Sequence, residues 1–185
     1  MVFVVTEPGS AGQVAPGALE QVRALLNSWL IPNDTRVATD RFDDLAWSQD
    51  WAAGDAAAAR SFRDDLRAVV EGGPGEFRRL NDWIGRLDMR PAVADGTLGF
   101  RHDAGPAGDF LAVVLDSVSA GTWRRLKACP DCRWVFYDNT KNGSKRWCLM
   151  QAAGTTGRGC GDIAKVRRYR ERHASRDDAA APAAG

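Results

Sequence analysis

The sequence predicts a mostly α N-terminal domain carrying one small β-hairpin, followed by a compact module made of a second hairpin and a basic helix. Three observations lead there. Apolar residues recur at spacings of three and four through most of the first 126 positions, the mark of helices with one buried face. Charge divides sharply: residues 1–120 hold 11 basic and 18 acidic side chains, whereas residues 121–176 hold 14 basic and 4 acidic ones. All four cysteines, Cys129, Cys132, Cys148 and Cys160, fall inside the basic segment.

Taken in order, residues 1–17 are rich in Gly, Pro, Ser and Ala and read as a loose N-terminal arm. Residues 18–30 form the first helix, with Leu19, Val22, Leu25, Leu26 and Trp29 on one stripe, stopped by Pro32. Residues 40–54 are expected to be a second helix through Phe42, Leu45, Ala46 and Trp47. Residues 55–70 place Ala58, Phe62, Leu66 and Val69 inward, and residues 76–87 do the same with Phe77, Leu80, Trp83, Ile84 and Leu87. Two short strands then flank Asp95-Gly96, a pairing that favours a two-residue hairpin turn. Residues 109–126 read as a helix capped by Asp109, with Phe110, Val113, Val114, Val118 and Trp123 inward. Trp29, Trp47, Trp51 and Trp83 suit core packing better than a ligand pocket, because large aromatics dominate cores. Residues 177–185 read as a disordered tail.

Composition narrows function. At 44 % apolar residues a packed core is feasible, and no apolar run approaches the ~20 residues of a membrane span. The apolar start is too short for a signal peptide, so a cytoplasmic location is expected, where clustered thiols lean towards metal. The chain has two histidines, His102 and His173, and no Ser-His-Asp set, HExxH or phosphate loop. It is therefore expected not to be an enzyme. The basic segment anticipates a polyanionic partner.

The cysteine spacing carries the chemistry. Cys129-Pro-Asp-Cys132 is a knuckle whose tight turn lets both sulfurs reach one ion, and an all-cysteine tetrahedron is a usual structural zinc site. A redox CxxC would need a strand–helix context that is absent. Residues 133–137 and 144–148 are expected to pair as a hairpin around the 138–143 turn, bringing Cys132 and Cys148 together. Cys160 precedes a helix over 163–173 that Asp162 can cap, with Ile163, Val166, Tyr169 and His173 inward. His173 is the alternative fourth ligand, but helical pitch puts it about 15 Å beyond Ile163, so Cys160 is preferred. Knuckle, hairpin and helix are the layout of a treble-clef-like zinc finger. So small a piece lacks a sufficient core, and Zn2+ binding would supply its folding free energy.

The stretches Cys129-x2-Cys132-Arg-Trp-Val-Phe-Tyr, Lys145-Arg-Trp-Cys148 and Cys160-Gly-Asp-Ile-Ala-Lys165 resemble the CGNR zinc finger family, whose Cys-Gly-Asn-Arg-x-Lys motif opens a basic helix. Here Asp162 and Ile163 stand where that motif has Asn and Arg, and a Gly-rich insertion over 151–159 precedes Cys160. Leu25-Leu-Asn-Ser28 resembles an element of the ABATE domain, the partner of such fingers. The resemblance implies an ABATE-like helical domain over 18–126 and a CGNR-type finger over 127–176. It also implies a stress-induced transcription regulator whose first domain senses a small-molecule effector. Lys141, Lys145, Arg146, Lys165, Arg167, Arg168, Arg170 and Arg172 would contact DNA phosphates. The alternative is a small-molecule-binding or protein-interaction module in which the finger is only a scaffold. A homodimer is open to such a regulator, although no heptad seam is visible.

Overall fold

The structure, a computed structural model, describes residues 12–32, 35–45, 51, 56–72, 75–149 and 159–180, the last seven as backbone alone. In chain order the elements are α1 (Leu19–Leu26), β1 (Trp29–Leu30), β2 (Thr39–Asp40), a 3-10 turn (Phe42–Asp44) and α2 (Ala56–Glu71). Then come α3 (Glu76–Arg86), β3 (Arg90–Ala94), β4 (Thr97–Arg101) and α4 (Gly105–Ser119). A 3-10 turn (Trp123–Arg125), β5 (Leu126–Ala128), β6 (Val135–Tyr137) and α5 (Cys160–Ala180) complete the chain. Among the described residues the strands pair only as three antiparallel hairpins, β1–β2, β3–β4 and β5–β6.

The apolar stripes build one core. Val22, Leu25 and Leu26 of α1, Phe62 and Leu66 of α2, and Leu111 and Val114 of α4 are fully shielded from water. Each such side chain contributes about 1.5–3 kcal/mol by leaving water. Trp51 and Trp83 are packing residues: Trp51 stacks on Phe110 at 5.1 Å, and Trp83 meets Phe62 edge-on at 5.0 Å. At Asp95 and Gly96 φ is +51° and +74°, the two positive values that a type I′ hairpin turn demands.

Several expectations are corrected. The first helix ends at Leu26, and Trp29 belongs to β1, because Asn27 and Ser28 turn their polar groups elsewhere. Ser28 Oγ bonds back to the Leu25 carbonyl, and the Asn27 side-chain amide is committed to Val135. Residues 40–45 are a strand end and a 3-10 turn rather than helix, since the Asp40 carboxylate accepts the Phe42 N–H and makes a local turn. Ala46 and Trp47 lie outside the described residues. On α2 the buried alanine is Ala59, not Ala58, and on α3 Phe77 is exposed.

The helix α4 starts four residues before Asp109, with Pro106 in its first turn, so Asp109 is not its cap. It ends at Ser119, where Gly121 takes φ +69°; Val118 is exposed, and Trp123 is buried in the following 3-10 turn. Within the arm, residues 12–17 are docked rather than loose: Tyr137 donates its N–H to the Gln13 carbonyl, and Asn139 donates to the Gly12 and Val14 carbonyls. In the tail, residues 177–180 continue α5.

Candidate metal centre

Alternation along β6 places the centre. Side chains of a strand point to opposite faces by turns. Val135 and Tyr137, opposite Ala128 and Leu126, enter the helical core. Phe136, between them, is fully buried against the four cysteines. One short hairpin thus serves two cores.

The knuckle is the tip of this hairpin. The Cys129 N–H donates to the Trp134 carbonyl, and the Arg133 N–H returns to the Cys129 carbonyl at 2.9 Å. Arg133 takes φ +62° to close the turn. The strand opposite β6 is therefore 126–128, not 144–148 as the turn chemistry suggested. Residues 144–148 do return to the knuckle, but around a buried carboxylate instead of a β-ladder. Asp138 is fully buried and accepts hydrogen bonds from Lys127 Nζ, the Thr140 N–H and hydroxyl, and the Lys145 N–H. Burial alone would raise its pKa; those four donors overcome it and hold the carboxyl well below the usual carboxylate range.

The four sulfurs all lie within 4.8 Å of one another, and every one of the cysteines is buried. Cys132 Sγ is 3.4 Å from Cys148 Sγ, which is 3.6 Å from Cys160 Sγ. A disulfide would be about 2.05 Å. Four thiolates about 2.3 Å from a tetrahedral zinc lie about 3.8 Å apart, close to the observed edges. Electrostatics also ask for a cation. Hydrogen bonding with Cys132, Cys148 and Cys160 drives the Cys129 thiol well down. Cys132 and Cys148 are driven far up, first because each donates to Cys129. A second thiolate in this buried cluster therefore needs a positive ion. The donor set fits a structural zinc ion, closed by four cysteines with no position left for substrate.

The helical body and the docked arm bond directly to two of the four ligands, Cys132 and Cys148, and grip the hairpin that carries Cys129. The Ile31 N–H donates to the Cys132 carbonyl at 3.2 Å, and Gln13 Nε2 donates to the Cys148 carbonyl at 2.9 Å. Asn27 both donates to the Val135 carbonyl and accepts the Val135 N–H. The buried Arg67 donates to the Arg133 carbonyl at 2.9 Å, and the buried Arg23 donates to the Val135 carbonyl. Arg36 grips the side chain of Asp131 inside the knuckle at 3.2 Å. The sequence reading missed all of these. The only advance signal was Asn27, inside the Leu25-Leu-Asn-Ser28 element.

Cys160 is the first residue of α5 rather than a residue ahead of it, so Asp162 lies in the first turn and does not cap. Cys160 and Gly161 are buried; every side chain from Lys165 to His173 is exposed. Val166 and Tyr169 therefore face solvent, not a core. His173 is exposed, its ring tilted against Tyr169 with centroids 4.2 Å apart, and it is not among the clustered sulfur ligands.

The anticipated phosphate contacts fall in two groups. Lys165, Arg167, Arg168, Arg170 and Arg172 ring α5, with Lys165, Arg168 and Arg172 on one face by helical spacing. Arg167 reaches back to Asp131 at 3.5 Å, and Arg172 Nε donates to the Arg168 carbonyl. Lys141, Lys145 and Arg146 lie on the loop after β6; the Lys145 ammonium sits 5.3 Å over the Phe136 ring, and Arg146 lies 5.9 Å over Trp147. Among the described residues no helix is long and apolar enough to cross a membrane.

Residues 125–173 match the family model of the CGNR zinc finger, a span that contains the hairpin, all four cysteines and the exposed part of α5. No curated protein matches the chain.

Proposed function

We propose that the protein is a DNA-binding transcription regulator whose zinc ion is structural and whose ABATE-like helical body senses a small molecule. One observation carries the DNA reading. From Lys165 to His173 every side chain of α5 is exposed, and five of those nine are Lys or Arg. Over Lys165–His173 burial adds little to the stability of the helix, and its 21 residues span about 31 Å, ample to follow a groove. The major groove of B-DNA admits such a helix, and its phosphates attract the cations around it. Cys160 at the first position of α5 ties the orientation of this helix to the metal. The hairpin tip plus a helix opening on the fourth cysteine also supports the treble-clef-like layout.

Fluorescence anisotropy on duplex DNA across a salt series tests the reading. Binding with log affinity falling linearly in log salt, by about 0.9 per phosphate contact, is expected. No duplex binding at low ionic strength would remove the proposal. That outcome would leave the second reading, a scaffold finger, which the sharing of the β5–β6 hairpin between the two cores favours.

A further inference from the structure

Away from the cysteines, a cavity of about 590 Å³ opens where the end of α3, the β3–β4 hairpin and the start of α4 meet. Small-molecule sites commonly enclose about 300–1,000 Å³. The hairpin register sets Arg90 directly opposite Arg101, and both line the cavity. Like charges placed opposite one another destabilise a hairpin. Asp88 answers one of them, forming an ion pair with Arg90. Among the described residues Arg101 has no carboxylate partner. Arg86, the last residue of α3, lies 5.0 Å over the Trp83 ring and likewise has no acceptor among the described residues.

The lining adds Asp103 to these groups, so three arginines face two carboxylates. One positive charge is left over. Between the charges the wall is apolar, made by Leu87, Pro91, Ala92 and Ala104. His102 completes it. Its ring is seated on Gly108 so closely that any Cβ there would overlap Nδ1, and its Nε2 lies 3.4 Å from Asp109. The missing side chain of Gly108 is what lets the imidazole close the cavity.

We infer that this cavity binds a small organic monocarboxylate. Arg101 and Arg86 hold the carboxylate through their planar N–H forks, which match its geometry. The Leu87–Ala104 wall receives the apolar part of the molecule, and one carboxylate charge balances the excess. This rests on the sensing half of the proposed function and is independent of DNA contact.

The test uses the full chain with its zinc, followed by two-dimensional NMR. Benzoate is the probe, with benzamide as its uncharged counterpart and inorganic phosphate as a plain anion. Benzoate should shift the Ala104 amide and His102 ring signals saturably, and benzamide should not. Arg101→Gln and Arg86→Gln, both at exposed positions, should weaken benzoate at least about tenfold, the loss expected for a charge-assisted hydrogen bond. Three outcomes would overturn the inference: no saturable shift up to the solubility of benzoate, equal binding of benzamide or phosphate, or unchanged affinity in Arg101→Gln. DNA binding measured on the same samples keeps the two ideas apart. Benzoate binding without DNA binding would remove the regulator reading alone, and DNA binding without benzoate binding would remove this site alone.

Discussion

In the helical body Val22, Leu25, Phe62, Leu66, Leu111 and Val114 are wholly removed from water, whereas in α5 every side chain from Lys165 to His173 faces it. The two regions are held by different physics. The body is stable because apolar side chains from α1, α2 and α4 exclude water from a common core. The helix α5 opens on Cys160, one of the four clustered cysteines, and reaches the knuckle again through Arg167 and Asp131. Between them stands the β5–β6 hairpin, which belongs to both. The carbonyls of Cys132 and Cys148 accept hydrogen bonds from Ile31 and Gln13, and Cys129 belongs to the hairpin the body grips, while Cys160 meets the sulfur cluster and Gly161 donates its N–H to the Leu149 carbonyl. The body is therefore expected to fold without metal, and the basic helix to need metal for its placement.

The largest effect should follow metal loss. Structural zinc contributes about 10–16 kcal/mol of apparent binding free energy in finger peptides, so chelation or Cys148→Ser should abolish stoichiometric zinc. Hydrogen exchange should then show α5 unprotected and Phe62 and Leu66 amides still protected. Loss of protection throughout would break the comparison, since it would make the body as conditional as the helix. Cys160→Ser sharpens it further: α5 should be released with the β5–β6 amides retained.

Phe62→Ala should cost about 3–5 kcal/mol in denaturant unfolding, because it empties a fully buried site between Trp51 and Trp83. Zinc content below the new midpoint should be unchanged. Asn27→Ala comes next, at about 1–3 kcal/mol, because it strips the partner from the Val135 N–H and leaves the Val135 carbonyl only Arg23. It sits on the seam, so it should also raise the rate at which a chelator removes zinc. An unchanged rate would show that the seam does not support the metal.

Asp138 gives a smaller effect with a defined pH direction. Its folded pKa lies below the unfolded value of about 3.9, so its contribution is fully present above that pH. It is lost as pH falls through the depressed folded value. Wild type should therefore lose stability on acidification below about pH 4 more steeply than Asp138→Asn, measured by urea midpoints with zinc saturating. The smallest stability effect belongs to Arg168→Ala, within about 0.5 kcal/mol, as for other exposed sites. Its DNA salt slope should fall by about 0.9, the loss of one phosphate contact.

Much of this was legible in the sequence, for reasons that lie close to each residue. Helical stripes placed Val22, Leu25, Phe62, Leu66 and Trp83 because period 3.6 repeats along a single segment. Asp95-Gly96 announced its hairpin because both residues tolerate positive φ. The knuckle announced its metal because two sulfurs two residues apart suit one ion. The misreadings share an opposite cause. Trp29 fits the stripe of α1, yet the chain leaves the helix at Asn27 because that side chain pairs with Val135, 108 residues away. Residues 144–148 look like the partner of β6, yet β5 takes the place because Leu126 and Tyr137 together fill the body's core. Val166 and Tyr169 mark an inward face, yet both are exposed, and among the described residues no element covers them.

The sequence by itself determined the approximate places of helices α1 to α5, that the four cysteines belong together and where positive charge gathers, since local periodicity, ligand spacing and composition need no knowledge of distant contacts. Only the tertiary structure decided that one three-residue strand serves two cores, that the buried Arg23 and Arg67 donate to carbonyls of the hairpin, and that Arg101 lines a cavity with no carboxylate partner among the described residues. Those facts depend on pairings across more than a hundred residues, where a buried carbonyl or carboxylate must find a donor wherever the fold happens to supply one.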